Sequence, residues 1–261
     1  MFLAIDIGNT HTVLGVIQGE SITQSWRIHT DKYVTADELA VLLDHFVGFI
    51  DLKIDQIEDI IISCVVPPLI NVWEEFSVKY IKKNAIILSG DMPLGMPILY
   101  RRPHELGVDR IVNAIGAYSR YKRALIVIDY GTAITFDCIS AAGEYLGGSI
   151  APGVALASEA LFHGTSKLPR VRLFVKPKIA IGQDTSSAIQ AGIIYGFAGL
   201  TDGIVRRLVK EFQEKPKVIA TGGLASIITP YCDTIEDVLP DLTLEALAII
   251  YKRLIVEKHR R

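Results

Sequence analysis

Apolar positions along this chain fall into two copies of one pattern. FLAIDI at 2–7 and LIVIDY at 125–130 are nearly continuous apolar runs, as expected of strands covered on both faces. Each ends in Asp-x-Gly with a hydroxyl just beyond: Asp6-Ile7-Gly8-Asn9-Thr10 and Asp129-Tyr130-Gly131-Thr132. A second apolar run follows each turn, HTVLGVI and AITFDCIS, and then a Gly-Glu turn, Gly19-Glu20 and Gly143-Glu144. Asp6 and Asp129 are 123 residues apart, as are Gly8 and Gly131, and the spacing slips by one residue at the Gly-Glu turns. Both halves read strand, Asp-x-Gly turn, strand, Gly-Glu turn, and more chain.

Helical spacing takes over after the first hairpin. Thr35 and Asp37 offer N-caps to a segment whose Leu39, Leu42, Leu43 and Phe46 share one face. DIIISCVVP reads as a buried strand, Leu69 to Lys82 as a helix and NAIILSG as a short strand. In the second half a third strand is expected near YLGGSIAPG. Helices are expected at VALASEALFHGT and from Thr185 to Gln213, then a strand at VIATGG and a helix at LTLEALAIIYKRLIVE. Hairpins followed by strand–helix alternation predict an α/β fold with mixed sheets. No low-complexity linker divides the chain, so the repetition sets the expected halves, 1–118 and 119–261.

Composition narrows the partners. The 261 residues suffice for one large domain or two ordinary ones, and half of them are hydrophobic. With 27 basic and 29 acidic residues the formal charge is −2, which argues against nucleic acid or an anionic membrane surface as the main partner. A local basic patch around a phosphate stays open. Cys64, Cys138 and Cys232 are far apart and form no CxxC motif, so they read as free thiols in a reducing compartment. MFLAIDIGNT lacks a basic n-region and carries Asp6, unlike a signal peptide. The uncharged stretch from Ile60 to Trp73 is too short to span a bilayer and contains Pro67-Pro68. The expectation is a cytoplasmic protein with neither a nucleic-acid nor a membrane partner.

The Asp-x-Gly turns suit phosphate and metal chemistry. Gly8 lets backbone approach a phosphate without a Cβ, and Asn9, Thr10 and backbone N–H groups can donate to its oxygens. Asp6 needs a cation between itself and a phosphate, and magnesium, which takes few carboxylates and keeps its waters, favours that arrangement. One such turn alone is equally an ordinary β-turn, but two in register on apolar strands point to a nucleotide. Thr221-Gly222-Gly223 fits a place where a base or ribose packs on bare backbone.

Between the turns lies LYRRPHELGVDRIVNAIGAY, with Asp109 at the start of an apolar-periodic segment. Such an Asp is often only a helix cap, paired on the surface with Arg110. Beside two phosphate turns it gains a second reading: a carboxylate can orient and finally accept a hydroxyl proton during phosphoryl transfer, and the adjacent Arg can hold an anionic ligand. His11, His104 and His163 show no metal-ligand spacing, and Arg101-Arg102 and Arg206-Arg207 read as solvated faces. Thr185 is open between an N-cap and a ligand hydroxyl.

DIGNT at 6–10, GVDR at 107–110, DYGTAITFD at 129–137, GGSIAPG at 147–153 and TGG at 221–223, in this order and over this length, resemble type III pantothenate kinase. The resemblance implies two duplicated RNase H-like halves of the actin-like ATPase kind, with a nucleotide cleft between them. It implies ATP-dependent phosphorylation of pantothenate to 4′-phosphopantothenate, the first step of coenzyme A biosynthesis. Asp6, Ile7, Gly8, Asn9, Thr10, His11, Thr12 and Val13 would hold the ATP phosphates, with Thr132 adding to that site. Asp109 would accept the proton. Tyr100, Gly107, Val108, Asp109, Arg110 and Thr185 would hold pantothenate. Asp129 would bind a monovalent cation, potassium or ammonium, needed besides Mg²⁺, and a homodimer is implied. Two positions depart from the family pattern: DYGTAIT where DFGTATT is usual, and Arg102 where an Asn usually precedes Pro103, which bears on the pantothenate pocket.

Two alternatives compete. One is a sugar, acetate or polyphosphate kinase of the same superfamily, which would leave Gly-Val-Asp-Arg after a tyrosine unexplained. The other is a catalytically silent nucleotide-binding regulatory protein on the same fold, which should have lost Asp6, Asp109 or Asp129; all three are present.

Overall fold

The computed structural model describes residues 1–19, 21–172, 177 and 179–259; Glu20 of the first Gly-Glu turn lies outside the described residues. The chain forms two compact units, one of Met1–Met96, Arg101–Gly116 and Leu242–Arg261, the other of Pro97–Tyr100 and Ala117–Asp241.

The first unit holds a five-stranded sheet. Strands β1 (Phe2–Ile7), β2 (His11–Gln18) and β3 (Ser21–His29) form an antiparallel meander, and β4 (Asp59–Cys64) and β5 (Ile86–Ile87) continue it in parallel, in the order β3-β2-β1-β4-β5. Leu3, Ile5 and Ile7 point from β1 into a core closed by helices α1 (Ala36–Gly48) and α2 (Pro67–Phe76), through Leu39, Leu43, Trp73 and Phe76. Thr35 caps α1 in a capping box with Glu38, so of the two expected caps Thr35 is the one used. Helix α2 is shorter than the expected 69–82. Pro67 starts it, and a single π-helical turn at Ser77–Ile81 ends at Lys82 in a left-handed conformation.

The second unit repeats the topology. After helix α3 (Val108–Tyr121), strands β6 (Leu125–Tyr130), β7 (Ala133–Ile139) and β8 (Tyr145–Pro152) form the meander, extended in parallel by β9 (Lys217–Thr221) and β10 (Asp237–Val238). The order β8-β7-β6-β9-β10 mirrors the first sheet strand for strand. A register shift falls between Val16 and Ile17 in the first meander and between Cys138 and Ile139 in the second, the same place in each copy. Its core sets Ile126, Ile128, Tyr130, Ile134 and Phe136 against Ile193, Ile194, Phe197 and Ala198. Those four come from helix α5 (Thr185–Leu208), which follows α4 (Val154–His163).

The register confirms a slip at the Gly-Glu turns, where Ile17 pairs with Ile22 but Ile139 with Tyr145, and adds a second one at the Asp-x-Gly turns. Asp6 lies opposite Val13, whereas Asp129 lies opposite Thr135, so the second Asp-x-Gly turn is itself one residue shorter. The expected halves 1–118 and 119–261 are continuous stretches, and the compact units are not. The chain passes from one unit to the other within α3. Helix α7 (Leu242–His259), after a short α6 (Ala225–Ile228), packs on β1 and β4 of the first unit, with Tyr251 stacked on Phe2 and its hydroxyl on Asp59 Oδ2 at 2.6 Å.

By length and composition α5 is the one helix among the described residues that could cross a membrane, longer than the 60–73 stretch weighed for that role. None of the three cysteines is in a disulfide; Cys138 is buried and the other two are half-buried.

Candidate active site

In the first unit, the turn after β1 is built on backbone. Gly8 N–H donates to His11 O at 3.0 Å, closing Asn9 and Thr10 into the loop. Thr30, just past β3, braces it from below: its N–H donates to Thr10 O at 2.9 Å and its hydroxyl to Gly8 O at 2.8 Å, while Thr12 Oγ1 lies 3.0 Å from Thr30 Oγ1. Ile7 and Thr12 are buried; Asn9 and His11 are exposed, with Gly8, Thr10 and Val13 between. Of the segment 6–13, the turn tip therefore faces solvent and Ile7 and Thr12 support it. Thr30 has no marker in the sequence, because its partners are fixed by strand register and not by spacing.

Asp6 stands at the end of β1, paired across the sheet with Ser63 of β4. Burial pushes its carboxyl up to about 7, the charge of Asp109 adds to this, and Ser63 and Arg27 pull the other way. Asp109 is the second residue of α3, and its Oδ1 accepts the Arg110 N–H at 2.8 Å. Burial raises its carboxyl as well, against the pull of the Arg110 N–H and guanidinium. The cap reading thus holds in part, but the surface pair does not, since Arg110 is only 8% exposed. Val108 is buried beside it. A Cβ at Gly107 would sit 2.5 Å from Asp109 Oδ1, so a larger residue there would displace that carboxylate.

In the second unit, the shorter turn closes with Gly131 N–H on Ala133 O at 3.1 Å, and Gly153 N–H donates to Thr132 O at 3.1 Å. Thr132 is exposed. Asp129 pairs in register with Thr221 of β9, and Gly222, at φ +94°, closes over it. A Cβ on Gly222 would lie 2.3 Å from Asp129 Oδ1. The TGG turn therefore supports the Asp129 carboxylate, a role its sequence did not suggest.

Tyr100 ends a strap, Pro97–Tyr100, hydrogen-bonded along β8 through Tyr145 N–H to Pro97 O and Leu99 N–H to Tyr145 O, both 2.8 Å. Its ring meets Tyr145 edge-on at 6.3 Å and lies over Gly147. The Tyr145 hydroxyl donates to buried Asp137 Oδ1 at 2.6 Å, and Thr135 Oγ1 donates to Asp137 Oδ2 at 3.0 Å. That network was not visible in the sequence, where Asp137 reads as an interruption of an apolar strand. Asp184, not Thr185, caps α5, accepting Ser187 N–H at 2.9 Å. Thr185 is exposed and lines an apolar groove of about 700 Å³ between α4 and α5, with Ala157, Leu161, Ile189 and Phe197. The arginine pairs lie at the surface, Arg102 on Glu105 and Arg206 on Asp233.

Among the described residues no group of three or more His, Cys, Asp or Glu could hold a metal ion. The carboxylates present suit a hard cation held with few protein oxygens. The charge of Asp109 raises the Asp6 carboxyl, and a cation beside Asp6 would offset that effect.

The sequence model of the type III pantothenate kinase family matches residues 2–207. A type III pantothenate kinase from Desulfatibacillum aliphaticivorans is 54% identical over 97% of this chain and 98% of its own. Among solved structures, a conserved Baf family protein from Campylobacter jejuni aligns at a TM-score of 0.60 and 22% identity over 97% of this chain and 98% of its own. Component A of (R)-2-hydroxyglutaryl-CoA dehydratase from Acidaminococcus fermentans aligns at 0.57 and 14%, over 96% of each. At those identities the likeness shows the fold alone, an α/β architecture of two similar halves. The first alternative, a kinase for sugar, acetate or polyphosphate, gives way to the family match. The chain belongs to the type III pantothenate kinase family.

Proposed function

We propose that Asp109 is the proton acceptor in the activity of this family, ATP-dependent phosphorylation of pantothenate to 4′-phosphopantothenate, the first step of coenzyme A biosynthesis. The observation that carries this is the placing of Asp109: half-buried at the start of α3, held by the Arg110 N–H, and near enough to Asp6 for its charge to raise the Asp6 carboxyl. Burial makes its carboxylate a stronger base than an exposed Asp. In a loose transition state the hydroxyl needs little early deprotonation, so Asp109 orients it and takes the proton late.

The tip Gly8-Asn9-Thr10-His11 offers N–H and side-chain donors to the ATP phosphates, with Asp6 at its base, Ile7, Thr12 and Val13 supporting it, and Thr132 adding a hydroxyl. Tyr100, Gly107 to Arg110 and Thr185 hold pantothenate, Arg110 supplying a buried positive charge for its carboxylate. Mg²⁺ fits Asp6 and supplies charge compensation for the phosphates when bound. Asp129, fixed under Gly222, offers carboxylate oxygens suited to K⁺ or NH₄⁺. Homodimer formation is supported by the groove at Thr185 and by α5, where Gly192, Gly196 and Gly199 have open space at the Cβ position.

Purified protein with ATP, Mg²⁺, K⁺ and pantothenate should yield 4′-phosphopantothenate by mass, and Asp109→Asn should not. Undiminished turnover by Asp109→Asn would remove Asp109 from the role.

A further inference from the structure

Ser63 is the one buried side chain among the described residues whose oxygen lacks a hydrogen-bond partner. It is 0% exposed, and it sits in register beside Asp6 on the adjoining parallel strand. A buried orphan hydroxyl costs about 1–3 kcal/mol, so its presence calls for a compensating use. Its Oγ is close enough to Asp6 to pull that carboxyl down, yet it forms no hydrogen bond of normal geometry. Alanine or valine would fill the same space in β4 without the cost. The second unit repeats the placement, with the Thr221 hydroxyl residue in the same register beside Asp129. In two parallel strand pairs whose other paired positions are mostly aliphatic, a hydroxyl residue recurs next to the turn carboxylate.

We propose that Ser63 is a positioning residue for Asp6: its hydroxyl donates to the Asp6 carboxylate in the nucleotide-bound state and fixes the rotamer that faces the metal-phosphate group. The proposal rests on the reading that Asp6 serves the ATP site. A carboxylate has room for several donors, and one set from the adjoining strand leaves its other oxygen for a ligand. A hydroxyl is suited to this because it rotates: it need not bond the carboxyl before the ligand arrives.

The test is calorimetric binding of a non-hydrolysable ATP analogue with Mg²⁺, together with thermal unfolding and steady-state kinetics, on wild type, Ser63→Ala, Ser63→Thr and Asp6→Asn. Ser63→Ala should bind the nucleotide about tenfold more weakly, a hydrogen bond to a charged group being lost. KM for ATP should rise with KM for pantothenate unchanged. Its unfolding midpoint should stay level or rise, because an orphan hydroxyl has gone. Ser63→Thr, which keeps the oxygen, should recover most of the affinity. Unchanged affinity in Ser63→Ala overturns the proposal. So does a loss matched by a lower unfolding midpoint, which marks a packing role, or a well-folded Ser63→Thr as weak as the Ala variant. Asp6→Asn separates the two readings: if it binds nucleotide like wild type, the assignment of Asp6 fails, whatever Ser63 does.

Discussion

Thr30 and Gly153 hold the same post in the two units and hold it by opposite means. Each donates its backbone N–H to the threonine of an Asp-x-Gly turn, Thr30 to Thr10 at 2.9 Å and Gly153 to Thr132 at 3.1 Å. In the first unit the post has room for a side chain, and the Thr30 hydroxyl reaches Gly8 O and Thr12. In the second the turn is one residue shorter, and a Cβ at 153 would lie 2.1 Å from Thr132 O. A single extra residue, Asn9, thus separates a turn braced by a hydroxyl from one clamped against bare backbone. Duplication preserved strand order, register shift and N–H contact, and the two copies diverged in the Asp-x-Gly loop itself.

The comparison can be broken at several points. The largest effect is expected from Gly153→Ala. A 2.1 Å approach to a carbonyl oxygen cannot be absorbed by a flexible side chain, so the turn must move. A loss of about 3 kcal/mol in denaturant unfolding is expected, with Thr132 displaced. A loss below 1 kcal/mol would show that the clamp yields easily.

Gly222→Ala sharpens the same contrast from the other side of the second turn. The backbone there is left-handed, and the new Cβ would press on Asp129 Oδ1. About 2 kcal/mol of stability should go, together with any K⁺ dependence of turnover, measured by comparing assays in K⁺ and in a large organic cation. Retained K⁺ dependence would separate Asp129 from the monovalent cation.

Asp6→Asn probes the first turn by pH. The folded carboxyl is raised to about 7 from an ordinary 3.8, so folding favours its protonated form. The resulting penalty is absent below pH 4, grows as pH rises between the two values, and is complete above about 7. The ligand-free wild type should therefore lose stability from pH 4 to 7. The full shift corresponds to about 4 kcal/mol, and because the side chain is only half-buried, solvent brings the expectation nearer about 2. Asp6→Asn should be more stable than wild type by that amount at pH 8 and equal to it at pH 4, read from urea midpoints at both. A pH-independent difference would contradict the burial of this charge.

Thr30→Val is the mildest test. It keeps the shape and the N–H contact and removes the hydroxyl from Gly8 O and Thr12. About 1 kcal/mol is expected, with nucleotide affinity falling because the turn tip loosens. No effect on affinity would mean that the backbone contact suffices.

Which of these features could be read from the chain follows from the range over which each is determined. The Asp-x-Gly hairpins were legible because a charged residue and a glycine punctuate apolar runs, and so was the start of α3, where Pro103 and Gly107 interrupt the pattern. Strand β3 was not predicted: SITQSWRIH is largely exposed, so little burial shapes its composition. The shorter second Asp-x-Gly turn needed register, since residue spacing gives only the net offset between the two copies. Thr30, Asp137 with Tyr145, and Ser63 were invisible for a related reason. Each matters through a neighbour supplied by strand pairing, and a lone Ser or Thr in a strand carries no sign of that neighbour. Thr221-Gly222-Gly223 reads in the sequence as a seat for a nucleotide; that its bare backbone also accommodates the Asp129 carboxylate does not show there.

Stacking of Phe2 on Tyr251 sets an order of events during synthesis. The ribosome makes β1 first, yet the helix that covers its second face is encoded some 240 residues later. Until α7 emerges, Phe2 and the apolar residues around it face the chaperone-rich surroundings of the nascent chain, while residues 117–241 already hold everything their own unit contains apart from the short strap at 97–100, which has emerged before them. The second unit can mature on the ribosome; the first waits for the translation of α7.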